Sequence, residues 1–99
     1  MPARSAVLQV SPDRVDAVTR AMQEELIPRY QDQDGYEGFV LLANRETGKV
    51  LGVSFWESES DLEASDDLGA DARQRLAEVG GEADTPVRET WEVVVDDEP

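Results

Sequence analysis

The side chains of this chain that could take part in chemistry are aromatic and polar. Trp56 ends an apolar run on the same face as Gly52 and Ser54, whose small side chains leave room for a pocket beside the indole ring. Tyr30 precedes a polar link, where its hydroxyl could hydrogen-bond a ligand, and Asn44 opens a polar turn. Each has a structural alternative: Trp56 as packing in the core or a dimer seam, Tyr30 as a half-buried amphipathic ring, and Asn44 as a turn former.

The chain contains no histidine and no cysteine. Their absence excludes disulfides, thiolate metal sites, cysteine nucleophiles and a histidine that ligates haem or acts as a general base. The carboxylates at 57–63 and 66–67 lack the glycine and closing glutamate of a calcium loop, and the sequence has no phosphate loop or nucleophile elbow. We therefore predict that the protein uses no metal and no cofactor.

Acidic residues dominate the charge, and they concentrate toward the end of the chain. The net charge is −14, and residues 57–99 hold fifteen acidic and three basic side chains. Because phosphate contacts need lysine and arginine, this balance argues against nucleic acid and membranes as partners. A solvated surface that maintains solubility explains the charge, with binding of cations or of a basic partner as the alternative. No apolar run approaches the roughly 18 residues of a membrane span, so we expect a cytoplasmic protein.

Apolar periodicity predicts a single domain over residues 1–99, with a frayed polar tail at 96–99. It places strands at 5–10, 36–43, 49–56 and 86–95, separated by two helical regions. The order β-α-β-β-α-β is that of the ferredoxin-like, split βαβ arrangement. Right-handed crossovers then place both helical regions on one face of a four-stranded antiparallel sheet. The predicted fold class is therefore α+β.

Capping residues and helix breakers mark the predicted helices. Ser11 and Pro12 suit the N-cap and first position of the first helix, and Pro28 predicts a kink or break near its end. Ser58, followed by Asp61, resembles a capping box at the start of the second helical region. A glycine interrupts the apolar pattern of that region at position 69, so we expect two short helical pieces there.

The hairpin of the second and third strands is apolar on both faces. Phe39 and Leu41 point to one face, whereas Val40 and Leu42 point to the other. An antiparallel sheet with one face in water should alternate apolar and polar residues, and the helices of so short a chain can cover only one face. We therefore predict a homodimer in which a second copy covers the other face.

Three stretches of the chain carry a family resemblance. Residues 35–42 read Gly-Tyr-Glu-Gly-Phe-Val-Leu-Leu, residues 47–65 contain the strand end Phe-Trp-Glu-Ser followed by an acidic helix start, and residues 89–94 read Glu-Thr-Trp-Glu-Val-Val. Over roughly residues 4–95 the chain resembles the dimeric α/β-barrel superfamily, and within it the antibiotic biosynthesis monooxygenase-like domains. The resemblance implies a ferredoxin-like subunit that pairs into a dimeric α/β barrel.

The same resemblance implies a function. It implies a cofactor-independent monooxygenase that acts on an aromatic or polyketide-like small molecule, with Trp56 as a pocket wall and donor and with Asn44 and Tyr30 as polar site residues. The resemblance to the superfamily extends to haem-degrading members, which have a haem-binding histidine. This chain lacks histidine, so the resemblance does not imply haem binding of that kind. The alternative function is a non-enzymatic dimeric module that binds a ligand or acts in a stress response.

Overall fold

Four strands of the computed structural model form one antiparallel sheet in the spatial order β2-β3-β1-β4. The structure describes residues 1–81 and 87–97. The strands are β1 Pro2–Gln9, β2 Tyr36–Asn44, β3 Lys49–Trp56 and β4 Val87–Glu92. This order, with the two helical regions that connect the strands, confirms the predicted ferredoxin-like α+β fold.

The first and last strands differ from their predicted bounds. β1 already starts at Pro2, because its N-terminal half pairs with β3 on one side and β4 on the other. β4 ends at Glu92, which is opposite Pro2, although the Val93 N–H beyond it still donates to the Met1 carbonyl at 2.8 Å. The predicted first residue of the last strand, Pro86, and residues 98–99 of the predicted tail lie outside the described residues.

The first helical region changes its winding along its length. A 3₁₀ turn at Pro12–Arg14 leads into α1 (Val15–Ala21), a π-helical turn at Met22–Leu26 and α2 (Ile27–Gln31). In the π-helical turn, the Ile27 N–H donates to the carbonyl of Met22, five residues earlier. Pro28 lacks an N–H and its ring clashes with a regular α-helical turn before it, which is a physical reason for the wider turn. The helical region therefore continues through Pro28, and the irregularity predicted there is a change from a π-helical turn to an α-helix just before the proline.

The second helical region consists of α3 (Glu59–Ala64) and α4 (Asp66–Gly80). The Ser58 hydroxyl accepts a hydrogen bond from the Asp61 N–H at 3.2 Å, which confirms the predicted N-cap. The prediction of two pieces is also confirmed, but the break lies at Ser65, whose hydroxyl donates to the Leu62 carbonyl at 2.6 Å and closes the end of α3. Gly69, the expected breaker, lies inside α4.

The helices pack on one face of the sheet and leave the other face uncovered. On the helix side, Val50 and Trp56 of β3 are buried in one cluster with Val18 of α1. On the opposite face, Val40 and Leu42 of β2 are 44% and 53% exposed, as the two-faced pattern of the hairpin predicted. Within residues 1–81 and 87–97, no helix has both the length and the apolar character that crossing a bilayer requires.

We expect Ser58→Ala to lower the free energy of unfolding by about 1 kcal/mol, because the Asp61 N–H loses its acceptor. Ser11→Ala is a matched control, since Ser11 also precedes a helical turn but its side chain makes no capping hydrogen bond. That control should change stability by less than about 0.5 kcal/mol. Urea denaturation followed by circular dichroism measures both variants, and equal losses would contradict the capping role of Ser58.

Candidate functional site

A pocket lies between the helix-bearing face of the sheet and the helices. Phe39, Leu41 and Gly52 form part of its sheet side, and Met22 and Tyr30 form part of its helix side. The space open to the centre of a water molecule is about 40 Å³, which is room for a few waters. A larger ligand therefore requires lining side chains to move, and the flexible thioether of Met22 is suited to that.

Tyr30 projects from α2 into this pocket and is 6% exposed. Its ring centroid lies 5.3 Å from that of Phe39 and 6.2 Å from those of Tyr36 and Trp56. Tilted contacts of this kind stabilise an aromatic pair by about 0.5–1.5 kcal/mol beyond burial, so the cluster fixes the position of the phenol. Within residues 1–81 and 87–97, no hydrogen bond engages the Tyr30 hydroxyl, which is accessible from the pocket.

Trp56 lies next to Tyr30 but does not present its N–H to the pocket. The indole is completely buried, and its Nε1–H donates to the Ser54 hydroxyl at 2.9 Å. The predicted space beside the indole is filled in part by the protein itself, because a Cβ at Gly52 would lie 3.0 Å from the ring edge of Phe39. The glycine thus accommodates the phenylalanine ring on the floor of the pocket.

Two arginine side chains bring positive charge to the pocket. Arg4 extends from β1 and forms an ion pair with Asp66, the first residue of α4. Arg73 extends from α4, and its Nη1 lies 3.1 Å from the point where a Cβ of Gly69 would be. The Tyr30 hydroxyl lies 3.9 Å from the same point. The guanidinium of Arg73 and the hydroxyl of Tyr30 therefore both lie within 4 Å of a helix position that has no side chain.

Burial changes the acid–base properties of these groups. Desolvation raises the pKa of the Tyr30 phenol above its ordinary value of about 10, and the charge of Arg73 opposes part of that rise. Desolvation, followed by the charge of Arg88, lowers the pKa of Arg4 and that of Arg73. Arginine nevertheless stays protonated at neutral pH. The pocket therefore offers a neutral phenol that can donate a hydrogen bond and two guanidinium cations.

Asn44 lies at the hairpin turn, at the other end of β2 from the Tyr30 cluster. Its Oδ1 accepts hydrogen bonds from the N–H groups of Glu46 and Thr47, at 3.0 and 3.2 Å, which shapes the turn. The side chain is exposed and does not line the pocket. The structure thus brings Tyr30 and Trp56 together and leaves Asn44 apart, while the catalytic roles of all three stay predictions.

Arg4 and Arg73 are site residues that the sequence reasoning missed. Arg4 shares the inward face of β1 with Ala6 and Leu8, which line the same pocket. Arg73 follows Gly69 by one turn of α4, and residues four apart on a helix are neighbours. A single charged residue in an inward, otherwise apolar row is the sequence signal that marks both positions.

The fold and the site define a small ferredoxin-like protein with an aromatic pocket, lined by arginine, between its sheet and its helices. Residues 1–70 match the family model described as antibiotic biosynthesis monooxygenase. The chain belongs to the antibiotic biosynthesis monooxygenase family, which confirms the sequence resemblance.

One sequence relative and two solved structures illustrate the family and the fold. The uncharacterized protein Rv2557 of Mycobacterium tuberculosis is 32% identical over 91 residues, and the chain spans 40% of that relative's length while 92% of the chain is covered. A monooxygenase from the gene ActVA-Orf6 of Streptomyces coelicolor, crystallised with nanaomycin D, has a TM-score of 0.78 at 16% identity, with 99% of this chain and 91% of that chain covered. A dimeric ferredoxin-like protein from an uncultured marine organism has a TM-score of 0.68 at 12% identity, with 99% and 91% covered. At these identities the two structures show the fold.

We expect the protein to lose stability as the pH rises through about 10. Because burial raises the pKa of Tyr30, the folded chain keeps a phenol proton that the unfolded chain releases. This contribution is complete below the unfolded pKa and disappears as the pH rises through the folded one. Urea denaturation at increasing alkaline pH measures the decline, which should be shallower in Tyr30→Phe. A part of the decline should remain there, since burial also raises the pKa of Tyr36, and equal slopes for the two proteins would contradict the assignment.

Proposed function

We propose that this protein is a cofactor-independent monooxygenase that oxidises an electron-rich aromatic or polyketide-like small molecule in the pocket. The observation that carries the proposal is that the Tyr30 hydroxyl and the Arg73 guanidinium both lie beside Gly69, in a pocket with apolar walls. Membership of the antibiotic biosynthesis monooxygenase family supports it. The shared fold with the Streptomyces coelicolor monooxygenase, whose structure holds nanaomycin D, supports it as well.

In this proposal the substrate itself supplies the electrons that reduce oxygen. An anthrone-type CH₂ group between aromatic rings loses a proton to solvent and becomes an enolate anion, which transfers electrons to O₂. One oxygen atom becomes the carbonyl oxygen of the product, and the other leaves as water with the two hydrogens of the CH₂ group. The substrate is oxidised, O₂ is reduced, and the balance needs no further reactant.

The residues of the pocket bind the substrate and stabilise its anion. Tyr30, which its raised pKa keeps protonated, donates a hydrogen bond to the enolate oxygen, and Arg73 places a positive charge beside it. Phe39 and Leu41 contact the aromatic rings and exclude water. Because the enolate carries more charge than the neutral substrate, these polar groups favour the reacting state over the bound ground state.

Trp56 has a positioning role in this proposal. It packs against Tyr30 with ring centroids 6.2 Å apart, and Ser54 accepts its indole N–H. The indole therefore holds the phenol in place, and the hydrogen bond to the substrate comes from Tyr30. Asn44 contributes through the hairpin turn that ends β2.

Oxygen uptake with anthrone as the substrate tests the proposed activity. We expect uptake faster than that of anthrone without protein, with one O₂ consumed for each anthraquinone formed. Tyr30→Phe should lower kcat by about 100-fold, as the loss of an oxyanion donor does in other enzymes. Tyr36→Phe is the matched control, because Tyr36 belongs to the same ring cluster but does not line the pocket.

A wild-type rate equal to the protein-free rate, across a panel of anthrones and hydroquinones, would overturn the proposed activity. If aromatic ligands still bound to the pocket in that case, the alternative of a non-enzymatic ligand-binding module would replace it. Equal loss of kcat in Tyr30→Phe and Tyr36→Phe would instead assign the effect to the ring cluster and remove the specific role of the Tyr30 hydroxyl.

We also propose that the protein forms a homodimer through the helix-free face of its sheet. Val40, Leu42 and Trp91 are each about half exposed there, and Val53 and Phe55 of β3 lie on the same face. A contiguous apolar surface of this kind is uncommon on a soluble monomer and typical of an interface. The marine protein that shares the fold is described as dimeric, which supports the same arrangement here.

Analytical ultracentrifugation at micromolar concentration tests the dimer, and we expect twice the 11.0 kDa mass of one chain. Leu42→Glu should give a monomer, because dimerisation would bury the new carboxylate without a partner. Gln23→Glu adds the same charge at an exposed helical position and should remain a dimer. A monomeric wild type, or dissociation of both variants alike, would contradict the proposed interface.

A further inference from the structure

Arg4, Arg73 and Arg88 lie close enough together for their charges to affect one another, in a chain whose other charges are mostly acidic. Arg4 and Arg73 line the pocket, and Arg88 of β4 pairs with Ala6, which places it on the same sheet face as Arg4. The charge of Arg88 is felt by both of the other arginines. The whole chain has nine basic residues against 23 acidic ones, so the surplus of positive charge at this site is local.

Four of the described arginines form ion pairs with carboxylates, and Arg4 at the pocket is one of them. Arg29, Arg45 and Arg75 are exposed, and each pairs with a carboxylate at 2.8–3.1 Å. Arg4 also has a carboxylate partner, in Asp66. Within the described ranges, 1–81 and 87–97, Arg73 forms no ion pair although it is partly desolvated. Like charges held together in a partly buried place are unfavourable unless an anion joins them.

Gly69 leaves open the space that Arg73 occupies near the hydroxyl of Tyr30. A Cβ at this position would be 3.1 Å from Nη1 of Arg73, closer than side chains normally approach. An alanine there would therefore displace the guanidinium, whose long side chain can move, while a helix generally tolerates alanine better than glycine. The glycine thus costs helix stability and places a cation at the pocket.

We propose that the pocket selects aromatic molecules that carry a carboxylate, and that Arg73 and Arg4 hold this carboxylate, while the hydroxyl of Tyr30 is left for the enolate oxygen. The inference rests on the proposed function in that the pocket must first accept an aromatic ring. A guanidinium presents a planar fork of N–H donors that matches the two oxygens of a carboxylate. Two guanidiniums together offer more donors than the single oxygen of a phenolate accepts, which favours the carboxylate.

A matched pair of probes, 1-naphthoate and 1-naphthamide, separates charge from shape. Each is titrated into ¹⁵N-labelled protein at neutral pH and about 0.15 M salt, and the amide shifts of Gly52 and Gly69 report binding in the pocket. We expect naphthoate to bind at least about tenfold more tightly than naphthamide, as charge-assisted hydrogen bonds allow. 1-Naphthol, neutral at this pH, should bind like naphthamide.

Three variants locate the source of the preference. Arg73→Gln should remove most of it, and Gly69→Ala, which shifts the guanidinium by a few tenths of an ångström, should weaken it without loss of thermal stability, so that misfolding does not explain the result. Arg20→Gln makes the same change in net charge at an exposed position of α1 and should keep the preference.

Equal affinities for naphthoate and naphthamide would overturn the carboxylate inference and leave an aromatic pocket in place. A preference for naphthoate that survives Arg73→Gln would also overturn the inference. So would an equal weakening of the preference by Arg73→Gln and Arg20→Gln, because the attraction of the anion to the overall charge of the protein would then be the cause. Binding of none of the three probes would count against the aromatic pocket of the proposed function itself.

Discussion

The structure depends on a constraint set by the hairpin of β2 and β3, which is apolar on both faces. Adjacent residues such as Phe39 and Val40 point to opposite faces of the sheet. Burial of the apolar side chains is therefore favourable on both faces. Two helical regions fit on one face, where they bury Trp56 and enclose the pocket. The other face has no element of the described chain to cover it. The pocket and the uncovered face are thus two results of the same pattern, one on each side of a single layer of strands.

The side chains that bring charge to the pocket are positive, whereas the net charge of the whole chain is negative. The net charge is −14, yet the charges of Arg4, Arg73 and Arg88 affect one another, and those of Arg4 and Arg73 also act on the Tyr30 phenol. At physiological salt, charges act over about 8 Å. An anion that approaches the surface therefore meets repulsion from the acidic groups until it is within that distance of the arginines. In the proposed carboxylate binding, such a field would slow the capture of anions in general and retain those that fit the pocket.

Much of the fold follows from local sequence signals, whereas the site does not. The period of the strands and the Ser58 cap act over a few residues, and they predicted the element order and a helix start correctly. The position of the break between α3 and α4 could not be predicted from one signal alone. Gly69 only weakens a helix, whereas Ser65 ends α3 with its own side-chain hydrogen bond. Tyr30 extended an apolar stripe and was identified as a candidate. The proximity of Tyr30 and Arg73 at Gly69 involves residues 43 positions apart in the sequence, and no local periodicity predicts such a contact region.

The π-helical turn at Met22–Leu26 has a consequence for the direction of the phenol. In a regular α-helix, the eight steps from Met22 to Tyr30 would rotate about 80° past two full turns, and the ring of Tyr30 would leave the stripe that Met22 and Leu26 occupy. A wider turn rotates less per residue and cancels much of this excess, so all three side chains remain buried on one side. The wide turn therefore absorbs one extra residue without changing the side to which the hydroxyl points. A single-residue deletion in that turn would leave seven regular steps, about 20° short of two full turns, so the helix would become regular and the phenol would stay on the same side.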